Sequence, residues 1–151
     1  MTFILTIFII IFDQVTKLMA IKYLKTSPPY IIVDNFFQFH YVENYGAAFG
    51  ILQNKKIFFV IITLAVIFAI TFFLVKNYYE INGFMRIGLS MLLGGAIGNF
   101  IDRLRLGYVV DFISFRLINR YDFPVFNIAD IFIVAGTGLI LLLVLFDKYE
   151  A

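Results

Sequence analysis

Two aspartates stand where carboxylates are hardest to accommodate. Asp111 lies in VVDF, between apolar neighbours on both sides, and Asp130 closes FNIAD at the head of a long apolar run. Two carboxyl groups held close together cannot both ionise easily, and they tend to share a proton. One then acts as a base that activates water; the other acts as an acid that protonates a carbonyl or a leaving amine. That is aspartyl protease chemistry, and it needs no metal, serine or thiol. Such a pair titrates as a unit. A solvated loop would give Asp111 a blander setting, and spacing alone does not show that the two acids meet.

Other polar residues gather around the same segments. Asn99, Asp102 and Arg103 in GNFIDR share one helix face by i, i+3, i+4 spacing. An amide inside an apolar span needs a partner, and Arg103 has the fork geometry to receive a lipid phosphate. Asp102 and Arg103 alone would also read as charge balance at an interface. Asn127 and Asp130 are i, i+3, just after Pro124, which suits a helix start. Asn127 reads equally as a helix cap, which leaves Asp130 without a reason. Asp13 and Lys17 in DQVTK form an i, i+4 pair in the favourable order. Either Lys17 snorkels to the interface, or Asp13 braces an intramembrane site from about 15 Å beyond Phe3. Asn44 opens NYGAAFG, where Gly46, Ala47 and Ala48 permit close approach to the backbone. That segment is either a tight turn or a wall of the site.

Composition removes most other chemistries. The chain has 151 residues, 62% of them hydrophobic, against roughly 45–50% in soluble domains. Charged residues are 15%, and a net charge of +2 carries no argument for nucleic acid. With no Cys there is no disulfide, thiolate or Cys-held metal. The single His, His40, rules out two-His zinc motifs and reads as a strand residue. Ser27, Ser90 and Ser114 are the only serines, and none sits in a Gly-x-Ser-x-Gly elbow. No metal and no cofactor are expected. The 20 Phe, with no Trp, read as lipid-facing bulk.

The elements that must position these residues follow from apolar runs of membrane-spanning length. Four spans are predicted, at about Phe3–Leu24, Ile57–Val75, Phe84–Ile101 and Val125–Phe146, within a single domain covering residues 1–151. The first lacks the basic flank and small-x-small site of a cleavable signal peptide. Residues 25–56 hold YIIVDNFFQFHYV, two strand-like runs split by an Asp34-Asn35 turn signal. The fold class is therefore an α-helical integral membrane protein with a small antiparallel sheet on the membrane surface. KNYYEING is a short turn, and residues 102–123 form a longer amphipathic connection. Ser90, Gly94 and Gly98 recur at i, i+4, with Asp102 continuing the row, as in close helix packing in lipid.

Taken together, DQVTK, NYGAAFG, GGAIGNFIDR, VVDF and FPVFNIAD resemble, in order, the motifs of the lipoprotein signal peptidase (signal peptidase II) family. The resemblance spans Asp13 to Asp130, and the set is far more specific than any one motif. It implies four transmembrane helices with a β-cradle on the outer side, and a bacterial inner-membrane aspartyl endopeptidase. The implied substrate is a prolipoprotein whose lipobox Cys already carries diacylglycerol, cut just before that Cys. Residue by residue, Asp111 and Asp130 match the catalytic pair; Asn44, Asn99, Arg103 and Asn127 match site-lining residues; Asp13 matches the acid of the first span. Asp102 is read as a structural ion-pair residue. The family often has Thr where this chain has Tyr45. The enzyme is expected to work as a monomer among membrane lipids.

The alternative is a small transporter or proton relay using intramembrane carboxylates. Inverted repeats would favour it, and none is visible. An assembly factor would explain the glycines and leave the acids and amides unexplained. Orientation sets two arguments against each other. Lys76, Arg86 and Lys148 lie on the side of the termini, against Lys25, Lys55, Lys56, Arg103, Arg105, Arg116 and Arg120 on the other. The positive-inside rule taken literally puts the acids in the cytoplasm. The resemblance puts the termini there and the acids near the outer face, and that orientation is the one expected.

Overall fold

The computed structural model describes residues 2–46, 55–117 and 121–150. Among the described residues, four helices are long and apolar enough to cross a membrane: α1 (Thr2–Leu24), α2 (Lys56–Lys76), α3 (Gly83–Arg105) and α4 (Ile128–Leu145). Four strands accompany them: β1 (Tyr30–Val33), β2 (Phe37–Asn44), β3 (Val109–Leu117) and β4 (Tyr121–Asp122). They form one antiparallel sheet in the order β1-β2-β3-β4.

α3 is the central helix and packs against α1, α2 and α4. Its most apolar window has a mean hydropathy of 1.4, against 3.0 for α2. The more polar helix is inside and the apolar helix outside, because lipid rather than water surrounds the bundle. α2 is apolar all round and buries only Ile70 and Leu74. The expected stripe of Ser90, Gly94 and Gly98 faces α1: a Cβ on Gly94 would sit 2.9 Å from Ile9 Cβ, and one on Gly98 would meet Asp13. A second small-residue row, not anticipated, faces α4. A Cβ on Gly95 would strike the Ala129 carbonyl oxygen and lie 2.7 Å from Ile133 Cγ1; one on Gly88 would meet Ile140 at 2.9 Å. α3 thus admits a neighbour on each side at close range, which is how a polar site is assembled between helices.

Element boundaries depart from expectation where polar groups decide them. α3 continues through Arg105 rather than stopping at Ile101, so Asp102 and Arg103 are helical. It ends where Leu106 N–H bonds the Asp102 carbonyl, at 2.7 Å, and Gly107 takes a φ of +89°. α4 begins at Ile128 rather than Val125, because Phe126 is spent on the sheet: its N–H and C=O exchange bonds with Ile113 at 3.0 and 2.8 Å. The connection after α3 is not simply amphipathic; it contains β3, whose Val-Val and Phe-Ile-Ser-Phe content is a strand signal. β1 and β2 match the expected runs, joined by a turn in which Asn35 has a φ of 57°. The sheet is seated on the C-terminal end of α1 through Ala20, Val110, Phe112 and Ile113.

Gly95→Ala is expected to destabilise the protein by about 1–3 kcal/mol, the usual range for overpacking, since its Cβ meets backbone that cannot rotate away. Thermal unfolding in detergent checks this against Gly138→Ala, where the added methyl meets nothing within 4 Å and the midpoint is expected to hold.

Candidate active site

Asp111 is brought to the helices by β3, and Asp130 by the first turn of α4. The Ile113–Phe126 bridge runs antiparallel, so it delivers Asn127 alongside the strand next to Asp111. Asn127 Oδ1 accepts the Asp130 N–H at 3.0 Å, and Asp130 Oδ2 accepts the Asn127 N–H at 3.2 Å, closing a capping box. The cap reading of Asn127 is therefore correct, and it is half of its role. Its Nδ2 donates to Asp111 Oδ1 at 2.7 Å and to Asn99 Oδ1 at 3.2 Å. Asn99 Nδ2 in turn donates to Asp130 Oδ1 at 2.8 Å. The two acids are thereby linked through two amides, and Asp130 also has a reason to stand in the helix. The second oxygen of Asp111 accepts Asn44 Nδ2 at 2.9 Å.

Beneath this lies a buried charge cluster. Lys17 is 2% exposed and does not snorkel. Its ammonium meets Asp13 at 2.9 Å, Asp102 at 3.0 Å and Asn99 Oδ1 at 2.8 Å, three acceptors for three donors. Asp13 Oδ1 accepts the Ala129 N–H at 2.9 Å, so the acid of the first helix braces the N-terminus of α4. Asp102 Oδ2 accepts the Val110 N–H at 3.1 Å, one residue before Asp111. Asp102 thus forms an ion pair whose partner is Lys17 of α1. Asn99, Asp102 and Arg103 do share a face; Asn99 and Asp102 both meet Lys17, and Arg103 turns to the segment after β2. Arg103 donates to the Gly46 carbonyl at 3.2 Å and lies over the Phe59 ring. Gly46 N–H bonds Asn44 Oδ1 at 3.0 Å, so the start of NYGAAFG does turn towards the site; Ala47 and Ala48 lie outside the described residues.

Gln14 was missed by sequence reading. Its Nε2 contacts Asp102 Oδ1 at 3.0 Å, and Asp13 Oδ2 and the Gly98 carbonyl at 3.2 Å each. An amide beside Asp13 in DQVTK is the available signal, but a helix face does not tell which neighbour it meets. Among the described residues, no buried side-chain nitrogen or oxygen lacks a partner. Burial, and then the charge of Asp130, push the Asp111 carboxyl up from 3.8 to about 7, against the pull of the Asn44 and Asn127 bonds. An acid able to hold a proton near neutrality and an acid linked to it by two amides form a site suited to proton exchange with a substrate.

Four membrane-length helices around buried, amide-linked carboxylates define a multi-pass membrane protein with a paired-acid site. A family profile for signal peptidase (SPase) II matches residues 5–146, and the chain belongs to that family. It is 46% identical over 147 residues to a lipoprotein signal peptidase of Caldanaerobacter subterraneus subsp. tengcongensis, covering 97% of each chain. It is 44% identical over 145 residues to one of Clostridium novyi, covering 96% of this chain and 97% of the relative. A bacterial membrane enzyme structure determined in meso at 2.3 Å superposes with a TM-score of 0.87 at 41% identity, over 97% of this chain and 88% of that one. The protein is accordingly a multi-pass bacterial membrane peptidase.

Two outcomes are expected. Lys17→Met leaves Asp13 and Asp102 buried without their cation, and should cost about 3–5 kcal/mol; equilibrium unfolding in mixed micelles measures it. The raised Asp111 value means the native state binds a proton the unfolded chain has lost. Its contribution to stability is complete below pH 3.8 and is lost as pH rises through about 7. The melting temperature of Asp111→Asn should therefore fall less over that interval than that of the wild type.

Proposed function

We propose that this chain is an intramembrane aspartyl endopeptidase that removes the signal peptide from diacylglyceryl-modified prolipoproteins, cutting before the lipidated Cys. The observation that carries the mechanism is the pair of carboxyls linked through Asn127 and Asn99, one of them able to keep its proton near neutral pH. The substrate class follows from the names of the relatives, which are lipoprotein signal peptidases over nearly their full length.

In this reading Asp130 takes a proton from water as its oxygen attacks the scissile carbonyl, and Asp111 gives its proton to the carbonyl oxygen. The resulting tetrahedral diol collapses as Asp130 passes its proton to the leaving amine and a diol hydroxyl returns one to Asp111, which leaves the pair with one shared proton again. Asn44, Asn127 and Asn99 hold the two carboxyls in place throughout. Asn44, Gly46 and Arg103 line the approach. Asp13, Lys17 and Asp102 fix the helices. The enzyme needs no cofactor, acts as a single domain and a monomer, and sits in the cytoplasmic (inner) membrane of a bacterium.

Asp111→Asn or Asp130→Asn keeps the shape of the site but cannot exchange the proton. Each should lower turnover of a lipidated prolipoprotein by several orders of magnitude, as losses of such groups do, while the protein still folds. Near-normal turnover by either purified variant removes the aspartyl mechanism. The same assay with an unlipidated precursor should show little or no cleavage, and equal rates would put the substrate class elsewhere.

Both termini are proposed to be cytoplasmic and the acids to lie near the outer face. Part of the contrary positive charge is engaged within the fold: Arg103 bonds Gly46, and Lys25 bonds Glu43. Labelling of Lys55→Cys by an impermeant thiol reagent in intact cells should succeed. Protection of that site, with a reporter after Ala151 found outside, reverses the orientation.

A further inference from the structure

β2 carries one more residue than β3 between two fixed pairs. Phe39 pairs with Ile113 and Val42 with Asp111, so His40 and Tyr41 both stand opposite Phe112. An extra residue of this kind inverts which side chains share a face. Without it, Tyr41 would pair with Asp111 and Glu43 with Val109. Glu43 would then occupy the face on which Asp111 lies, and Asn44 the opposite one. With it, Asn44 pairs with Val109 and its amide reaches Asp111 at 2.9 Å.

Glu43 is turned to the other side, with Tyr41 and Tyr45 at alternate positions. There it accepts the Tyr45 hydroxyl at 2.8 Å, the Tyr41 hydroxyl at 3.2 Å and the Lys25 ammonium at 3.0 Å. Lys25 follows the last residue of α1 and also lies over the Tyr41 ring. Two adjacent residues are thus sorted. The carboxylate goes to an exposed cation, and the neutral amide goes to a buried carboxyl, where another negative charge is least tolerable.

We propose that the β2 bulge and the Lys25–Glu43–Tyr45 cluster select Asn44 as the neighbour of Asp111 and hold its amide in register. The inference rests on the reading of Asp111 as a catalytic carboxyl. Glu43 and Lys25 are positioning residues that act through Asn44. The hydrogen bond from Asn44 favours the ionised form of Asp111. Loosening Asn44 therefore raises the pH at which Asp111 loses its proton, whereas deleting a distant negative charge lowers it. The two effects have opposite signs.

The test titrates the Asp111 carboxyl of the full-length protein in detergent by infrared difference spectroscopy, with Asp111→Asn as the assignment. The other charges facing Asp111, namely Asp130 from α4, Lys17 from α1 and Arg103 from α3, are unchanged in the variants. Glu43→Ala is expected to raise the Asp111 midpoint, in the same direction as Asn44→Ala, and to lower kcat with KM retained. The exchange Lys25→Glu with Glu43→Lys should move both back. A midpoint that stays or falls in Glu43→Ala overturns the proposal. The exchange Glu43→Asn with Asn44→Glu leaves the bulge in place and sets a carboxylate beside Asp111, so activity should fall by about 100-fold, the scale of an ångström-level misplacement. Full activity of the folded exchange variant also overturns it. If the wild-type protein cleaves no lipidated precursor, the functional reading fails, and the titration still decides this proposal.

Discussion

A buried ammonium holds this protein together. Lys17 has almost no contact with solvent, and each of its three donors ends on a different anchor. Asp13 carries the link on to the first turn of α4, Asp102 to the head of β3, and Asn99 to the Asp130 carboxyl. A charge in a low-dielectric interior is tolerable only when its partners are complete. The cluster therefore forms only in a fold that brings α1, α3, α4 and β3 together. The site and the fold are specified by the same interactions.

Amides do the spacing between the acids. Asn99, Asn127 and Asn44 each offer donors without adding charge, and each spends them on a carboxylate. Two carboxyls can then be kept near each other without a cation directly between them, which would hold both ionised. The positive charges are placed further back, at Lys17, or at the edge, at Arg103. Small residues complete the arrangement. Gly98 clears room for Asp13, and Gly95 lets α4 approach closely enough for Asn127 and Asn99 to meet.

The sheet contributes position more than area. β3 is the strand that carries Asp111, and its two edges are both used: β2 delivers Asn44 on one side, and the bridge to Phe126 delivers Asn127 on the other. The outer helices contribute less order. α2 shows most of its large apolar side chains to the surroundings, as befits a helix whose solvent is lipid.

Much was legible in the residues themselves. Apolar runs about 20 residues long can only be spans, and carboxylates and amides among them need a reason; these two facts gave the four helices, the candidate acids and the glycine row facing α1. The Asp34-Asn35 turn was legible because its backbone demands are local. What sequence periodicity could not supply was partnership across the chain. It placed Asp13 and Lys17 on one helix face without showing that Asp102 and Asn99 complete the cation's shell. It left Asn127 as either cap or site residue, when one side chain caps α4 with its Oδ1 and bonds Asp111 with its Nδ2. It did not find β3, because a strand buried on both faces lacks the alternation that marks a half-exposed one. Nor did it show that β2 gains a residue against β3, so that Asn44 rather than Glu43 meets Asp111. Residue types set which groups required partners; the close approach of helices and the register of strands decided which partners they found.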